Sequence, residues 1–132
     1  MDIDHLPGRI GFIGAGNMAQ AIIGGLLDAG YSPEQLCAAD PSDAAQAMLR
    51  TMGVETVTAT PGAAFDSAEL IILAVKPQFM ASATSQLRER LAATTVVMSV
   101  AAGINTQSLK SLLGNPDLPV VRCMPNLSLI HI

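Results

Sequence analysis

The chain has 132 residues, enough to bury a core and too few for two full domains. Half of it is apolar, only 14% is charged against roughly 25% in an average soluble domain, and 3% is aromatic. A formal charge of −4 without any basic run argues against nucleic acid or an anionic membrane surface as partner. The start, Met1-Asp2-Ile3-Asp4-His5, is acidic and lacks the apolar stretch of a signal peptide. The longest apolar runs, such as Leu70 to Val75, are too short to cross a bilayer, so a cytoplasmic location is expected. Cys37 and Cys123 form neither a metal pattern nor a disulfide framework and read as small buried hydrophobes; His5 and His131 lie remote from any motif.

Strand and helix signals alternate along the chain. Arg9 to Ile13 reads as a strand, and Asn17 to Ala29 as a helix stopped by Gly30. Leu36 to Ala39 is a second strand ending at Asp40-Pro41. Ser42 then caps a helix running to Met52 and closed by Gly53. Val54 to Thr58 is a third strand, and Pro61 to Ser67 holds at most a short helix. Glu69 to Val75 is a near-continuous apolar run, as in a parallel strand buried on both faces. Pro77 opens a helix of about four turns through Met80, Leu87 and Leu91. Thr95 to Ala101 is a fifth strand. Thr106 caps a helix to Leu113 that stops at Gly114, and Val120 to Met124 is a sixth strand.

This alternation predicts an α/β fold with a doubly wound parallel sheet of about six strands flanked by helices. In the order 3-2-1-4-5-6, strands one and four flank the switch point where ligands bind. The loops after Ile13 and Val75 then face each other, while Cys37 and Cys123 lie too far apart for a disulfide.

Arg9-Ile10-Gly11-Phe12-Ile13-Gly14-Ala15-Gly16-Asn17-Met18-Ala19 is the most informative stretch. A strand runs into Gly14-Ala15-Gly16 and a helix begins at once, the arrangement that sets a dinucleotide pyrophosphate on a helix N-terminus. Gly14 permits the tight turn, Gly16 lets the backbone approach the phosphates, and Ala19 fills the third small position. Asp40 follows Gly16 by 24 positions, close to the roughly 20 expected of an acid that binds the adenosine ribose and favours NAD. It reads equally as a helix-flanking turn residue, and Ser42 with the backbone after Pro41 offers an alternative seat for a 2′-phosphate. Lys76, before Pro77, projects from the carboxyl edge of the sheet toward the cofactor or simply into solvent. Ala101-Ala102-Gly103 puts small residues at the same edge, and Met18, Met80, Met98 and Met124 read as core filler. No metal cluster and no Ser-His-Asp arrangement stands out.

The segment from Gly11 to Ala19, with Ala21-Ile22 and Gly24-Gly25-Leu26 behind it, resembles the opening of pyrroline-5-carboxylate reductases. Three further blocks agree in order and spacing: Ala74-Val75-Lys76-Pro77-Gln78, Ser99-Val100-Ala101-Ala102-Gly103-Ile104 and Arg122-Cys123-Met124-Pro125-Asn126. The resemblance implies NAD(P)H-dependent reduction of the ring imine of 1-pyrroline-5-carboxylate to L-proline, by hydride transfer without metal or covalent intermediate. It implies pyrophosphate contacts for Gly14, Gly16, Asn17 and Met18, places near the nicotinamide ribose for Ala74, Lys76, Pro77 and Ala101, and a substrate-side place for Asn126. The family generally uses NADPH well, which tempers the NAD reading of Asp40, so NADPH or NADH is the expected cofactor.

Two departures accompany the resemblance. The family pattern continues Met-Pro-Asn-Thr-Pro, whereas here Asn126 is followed by Leu127-Ser128-Leu129-Ile130-His131-Ile132. The family's second, all-helical domain, which makes an intertwined dimer and much of the substrate pocket, is not expected within these 132 residues. Residues 1–126 are thus expected to form the dinucleotide-binding domain and 127–132 an atypical truncated tail. Such a chain is expected to bind cofactor yet reduce the imine poorly. A deazaflavin-dependent NADP oxidoreductase, or a non-catalytic dinucleotide-binding module, is the competing reading.

Overall fold

A computed structural model of the chain describes residues 7–123 apart from residues 93 and 102. Its framework is one six-stranded sheet of β1 (Ile10–Ile13), β2 (Leu36–Ala39), β3 (Val57–Thr58), β4 (Leu70–Leu73), β5 (Val96–Ser99) and β6 (Val120–Arg122). The strand order is β3-β2-β1-β4-β5-β6 and every neighbouring pair is parallel, the doubly wound arrangement expected from the sequence. β1, β2 and β4 carry no polar side chain, and their near-complete burial is what a central parallel strand covered on both faces requires.

Among the described residues four α-helices accompany the sheet: α1 (Asn17–Asp28), α2 (Asp43–Thr51), α3 (Met80–Leu87) and α4 (Thr106–Leu113). Because successive side chains of a strand point to opposite faces, β1 feeds two cores. Ile10 and Phe12 pack with Ala19 and Ile23 of α1 and Leu49 of α2. Ile13 packs with Leu87 of α3 and Leu109 and Leu113 of α4. Gly11 lies on this second side, and a Cβ there would come within 2.7 Å of the buried Phe65 ring. No helix among the described residues is long and apolar enough to cross a membrane.

Several boundaries differ from expectation for local reasons. The third strand is two residues long because Val54 closes α2, its N–H donating to Leu49 C=O at 3.1 Å beside Gly53 at φ 99°. The stretch from Pro77 is not one four-turn helix; it starts as a 3₁₀ turn, Pro77–Phe79, and ends as another, Arg88–Arg90, around α3. Asn105, not Thr106, caps α4: its Oδ1 accepts from Ser108 N–H at 2.8 Å. The fourth and fifth strands are shorter than expected at both ends, and a 3₁₀ turn at Pro33–Gln35 adds to the expected elements.

Ser42 does cap α2, accepting from Ala45 N–H at 3.2 Å. Cys37 is fully buried on β2, whereas Cys123 is half-buried just past β6 rather than a core residue. Four strand steps, roughly 19 Å, separate the two strands that bring them, which forbids a disulfide.

Candidate dinucleotide site

The register aligns the strand ends. Ile13 lies opposite both Ala39 and Leu73, and Leu73 opposite Ser99. The residues that follow, Gly14, Asp40, Ala74 and Val100, therefore emerge together at the carboxyl edge of the sheet. β1 and β4 are the adjacent strands from which the chain departs in opposite directions, which makes the gap above them the switch point.

Gly14 is wedged into that gap. Its φ is 102°, and a Cβ would sit 2.6 Å from the Ala74 carbonyl oxygen, so only glycine passes here. Its N–H donates to Ala39 C=O at 2.8 Å, while Ala74 N–H donates to Ile13 C=O at 2.8 Å. The turn after β1 is thus bonded to the end of β2 and touches the end of β4.

Gly16 differs. It has an ordinary extended backbone, φ −81° and ψ −162°, and is exposed; nothing lies within 4 Å of where a Cβ would stand. It occupies the N-cap of α1 and offers no side chain to the helix. The first intrahelical bond runs from Gln20 N–H to Gly16 C=O at 2.9 Å, so the N–H groups of Asn17, Met18 and Ala19 precede the ladder. The first turn carries no acidic residue to compete for the positive end of the helix. Asn17 is exposed, and Met18 packs its side chain partly against the core, leaving its backbone as the group available at the helix start. Open space, unspent donors and an uncontested dipole suit a pyrophosphate.

The other expected residues follow the carboxyl ends of β2, β4 and β5. Asp40 lies beside the glycine turn: its Oδ2 accepts from Ala15 N–H and its Oδ1 from Ser42 N–H, both at 2.8 Å. Lys76 is exposed, with the extended backbone (φ −65°, ψ 151°) that a residue before proline adopts. Pro77 opens the following turn, which leaves Phe79 58% exposed. Ala74 is half-buried, and Ala101 is buried with its N–H donating to Ser99 Oγ at 3.3 Å. Asn126, with Met124 and Pro125, lies outside the described residues, as do Ala102 and the 127–132 stretch.

Sequence reasoning missed two participants. Gln46, on the buried stripe of α2 with Leu49, donates from Nε2 to Asp40 C=O at 2.7 Å. Ala15 contributes through its N–H, which no side-chain pattern announces; only the i, i+3 spacing of Gln46 and Leu49 was there to be read. A separate cavity of about 560 Å³, lined by Thr60, Pro61, Asp66, Gln86, Glu89 and Arg90, shares no residue with the cradle. There the Arg90 guanidinium already pairs with Asp66 at 3.1 Å. Among the described residues, no group of three or more His, Cys, Asp and Glu side chains converges as a metal site would require.

Residues 9–103, well over half of the chain, match the family described as NADP oxidoreductase, coenzyme F420-dependent. The chain belongs to that family. Its relatives include the pyrroline-5-carboxylate reductase of Haemophilus influenzae, 44% identical over 117 residues that cover 89% of this chain and 42% of the relative. The solved pyrroline-5-carboxylate reductase of Coxiella burnetii superposes with a TM-score of 0.82 at 32% identity, over 90% of this chain and 44% of the other. The Plasmodium falciparum pyrroline carboxylate reductase, solved with NADP bound, shares the fold: TM-score 0.76 at 22% identity, over 93% and 44% of the two chains. The chain thus spans less than half the length of the relatives it matches.

Proposed function

We propose that this chain is the cofactor-binding part of a pyrroline-5-carboxylate reductase, with residues 1–126 forming the dinucleotide-binding unit. The observation that carries the reading is the open Gly16 position on an uncontested helix N-terminus, set against the Ala74-Val75-Lys76-Pro77 loop across the switch point. The N–H groups at the start of α1 receive the pyrophosphate. Lys76 brings the one cation of that loop, and the small side chains of Ala74 and Ala101 leave room for a flat ring at the sheet edge. A bound reduced nicotinamide supplies the hydride for the imine carbon of 1-pyrroline-5-carboxylate. The protein's part is to hold the two reactants together and exclude water. Asn126 is assigned to the substrate side. The partners we assign are this small molecule and, in the assembled enzyme, a second copy, with neither nucleic acid nor membrane, in the cytoplasm.

Titration of the purified chain with NADPH and NADH, followed by fluorescence or heat, is expected to give micromolar binding; a folded chain that binds neither overturns the reading. The family's description favours a second reading, hydride exchange between NADP and coenzyme F420. Binding of oxidised coenzyme F420 to the NADPH-loaded chain, followed by deazaflavin fluorescence, separates the two: saturable binding favours the second reading and its absence the first.

A further inference from the structure

An acid at the end of the second strand is the usual reader of the adenosine ribose in NAD enzymes, and its charge opposes a 2′-phosphate. Asp40 stands there in a chain that belongs to an NADP oxidoreductase family. The structure turns its carboxylate to another use. Oδ2 faces Ala15, the middle residue of the glycine turn, and Oδ1 faces Ser42, each at 2.8 Å from a backbone N–H. Ala15 is fully buried, so its N–H needs an acceptor, and the preceding Gly14 N–H is held by Ala39. Two consecutive donors of the turn are thereby bonded to the end of β2, one of them by a charge-assisted bond.

The backbone that carries the carboxylate is itself held from behind. Asp40 N–H donates to Thr58 C=O at 2.9 Å, and its C=O accepts from Gln46 Nε2 at 2.7 Å. Gln46 is only 8% exposed, and Arg50 donates to its Oε1 at 3.4 Å and to Val57 C=O at 3.0 Å. The polar chain thus runs Arg50, Gln46, Asp40, Ala15 and joins α2 and β3 to the phosphate turn. Resting on the dinucleotide reading above, we infer that Asp40 is a positioning residue for the pyrophosphate turn rather than the ribose reader, with Gln46 as its support.

The test compares the 132-residue chain with Asp40→Ser, Asp40→Asn and Gln46→Ala. Affinities for NADPH and NADH are measured together with the hydrogen exchange of the Ala15 amide in the ligand-free chain. Asp40→Ser is expected to weaken both dinucleotides by a common factor of roughly ten and to leave their ratio within about twofold. Asp40→Asn, which keeps one acceptor oxygen, recovers part of that loss, and Gln46→Ala weakens both by roughly threefold without touching the turn. The Ala15 amide exchanges faster in each variant. A gain for NADPH with a loss for NADH in Asp40→Ser overturns the proposal in favour of ribose reading, and affinities unchanged in all three overturn it outright. If Asp40→Ser does not fold, Gln46→Ala carries the same comparison. Should the wild-type chain bind neither dinucleotide, the functional reading fails and the proposal with it. Loss of Ala15 protection in the variants then still reports the hydrogen bond by itself.

Discussion

Gly14 and Gly16 stand two residues apart in opposite surroundings, one wedged and one open, and on the proposed reading they have opposite tasks, which Gly16→Ala separates. In the free chain the new methyl group enters open space, at backbone angles that alanine adopts freely. Reduced freedom of the unfolded chain stabilises by about 0.4–1 kcal/mol, and the poorer capping of alanine costs about the same. The net change is within about 0.5 kcal/mol, a shift in melting temperature of about 2 °C or less for a chain this size. Binding is another matter. A phosphate oxygen must reach about 2.9 Å from the N–H groups at the helix start, and a methyl group in its path denies it that approach. Losing two charge-assisted bonds, after partial relaxation, costs about 2–4 kcal/mol, or roughly 30- to 1000-fold in affinity for NADPH. Circular dichroism gives the melting temperature and calorimetric titration the affinity. A folded Gly16→Ala variant that keeps its affinity within about threefold would refute the placement of the pyrophosphate. A large fall in melting temperature would refute the open space.

Gly14→Ala is expected to do the reverse, because its Cβ meets the Ala74 carbonyl and the φ of 102° suits glycine. The cost is at least about 3 kcal/mol, visible as a drop of about 10 °C or more in melting temperature. Asn105→Ala removes the cap of α4 and costs about 1 kcal/mol in urea denaturation, whereas Thr106→Ala leaves stability nearly unchanged; the reverse ranking would move the helix start. Burial pushes the Cys37 thiol up to about 11, partly offset by Arg9, so a thiol reagent at pH 8 labels half-buried Cys123 well before Cys37. The sign for stability follows from the same shift. The unfolded thiol ionises first, so stability present below about pH 9 declines toward pH 11, by on the order of 2 kcal/mol. Denaturation of Cys37→Ala across that range should lack this component of the slope.

The sheet was legible because each central strand is an unbroken apolar run, and because Gly30, Gly53 and Gly114 end helices where periodicity stops. The cradle was legible for a related reason: Gly14 and Gly16 fall between a buried strand and an amphipathic helix, where a bare backbone can meet a phosphate. What escaped depends on how separate segments meet. Val54 reads as a strand residue by type, yet its N–H is taken by the end of α2. Asn105 and Thr106 are both good caps, and only the helix start that packs Leu109 and Leu113 against the sheet chooses between them. The destination of the Asp40 carboxylate is the sharpest case. Its spacing from Gly16 fits a ribose reader as well as a turn residue, and spacing along the chain cannot report a bond to a residue 25 positions earlier. That bond exists because parallel pairing in register brings Ile13 and Ala39 level, so the residues just beyond them share one edge.

The same register explains why the site is a consequence of the fold rather than an addition to it. A one-residue slip between β1 and β2 would turn every side chain of β2 to the other face, driving Cys37 and Ala39 out of one core and Leu36 and Ala38 out of the other. It would also carry Asp40 about 3.3 Å away from the Ala15 N–H, beyond hydrogen-bond reach. β1 and β4 are tied in the same manner, since Ile13 pairs with Leu73 and the C=O of Ile13 takes the N–H of Ala74. Core packing therefore fixes the height of Gly14, Asp40 and Ala74 along the sheet before any ligand arrives. The geometry of the cradle inherits the cooperativity of the sheet, and a ligand that uses it has little ordering left to do.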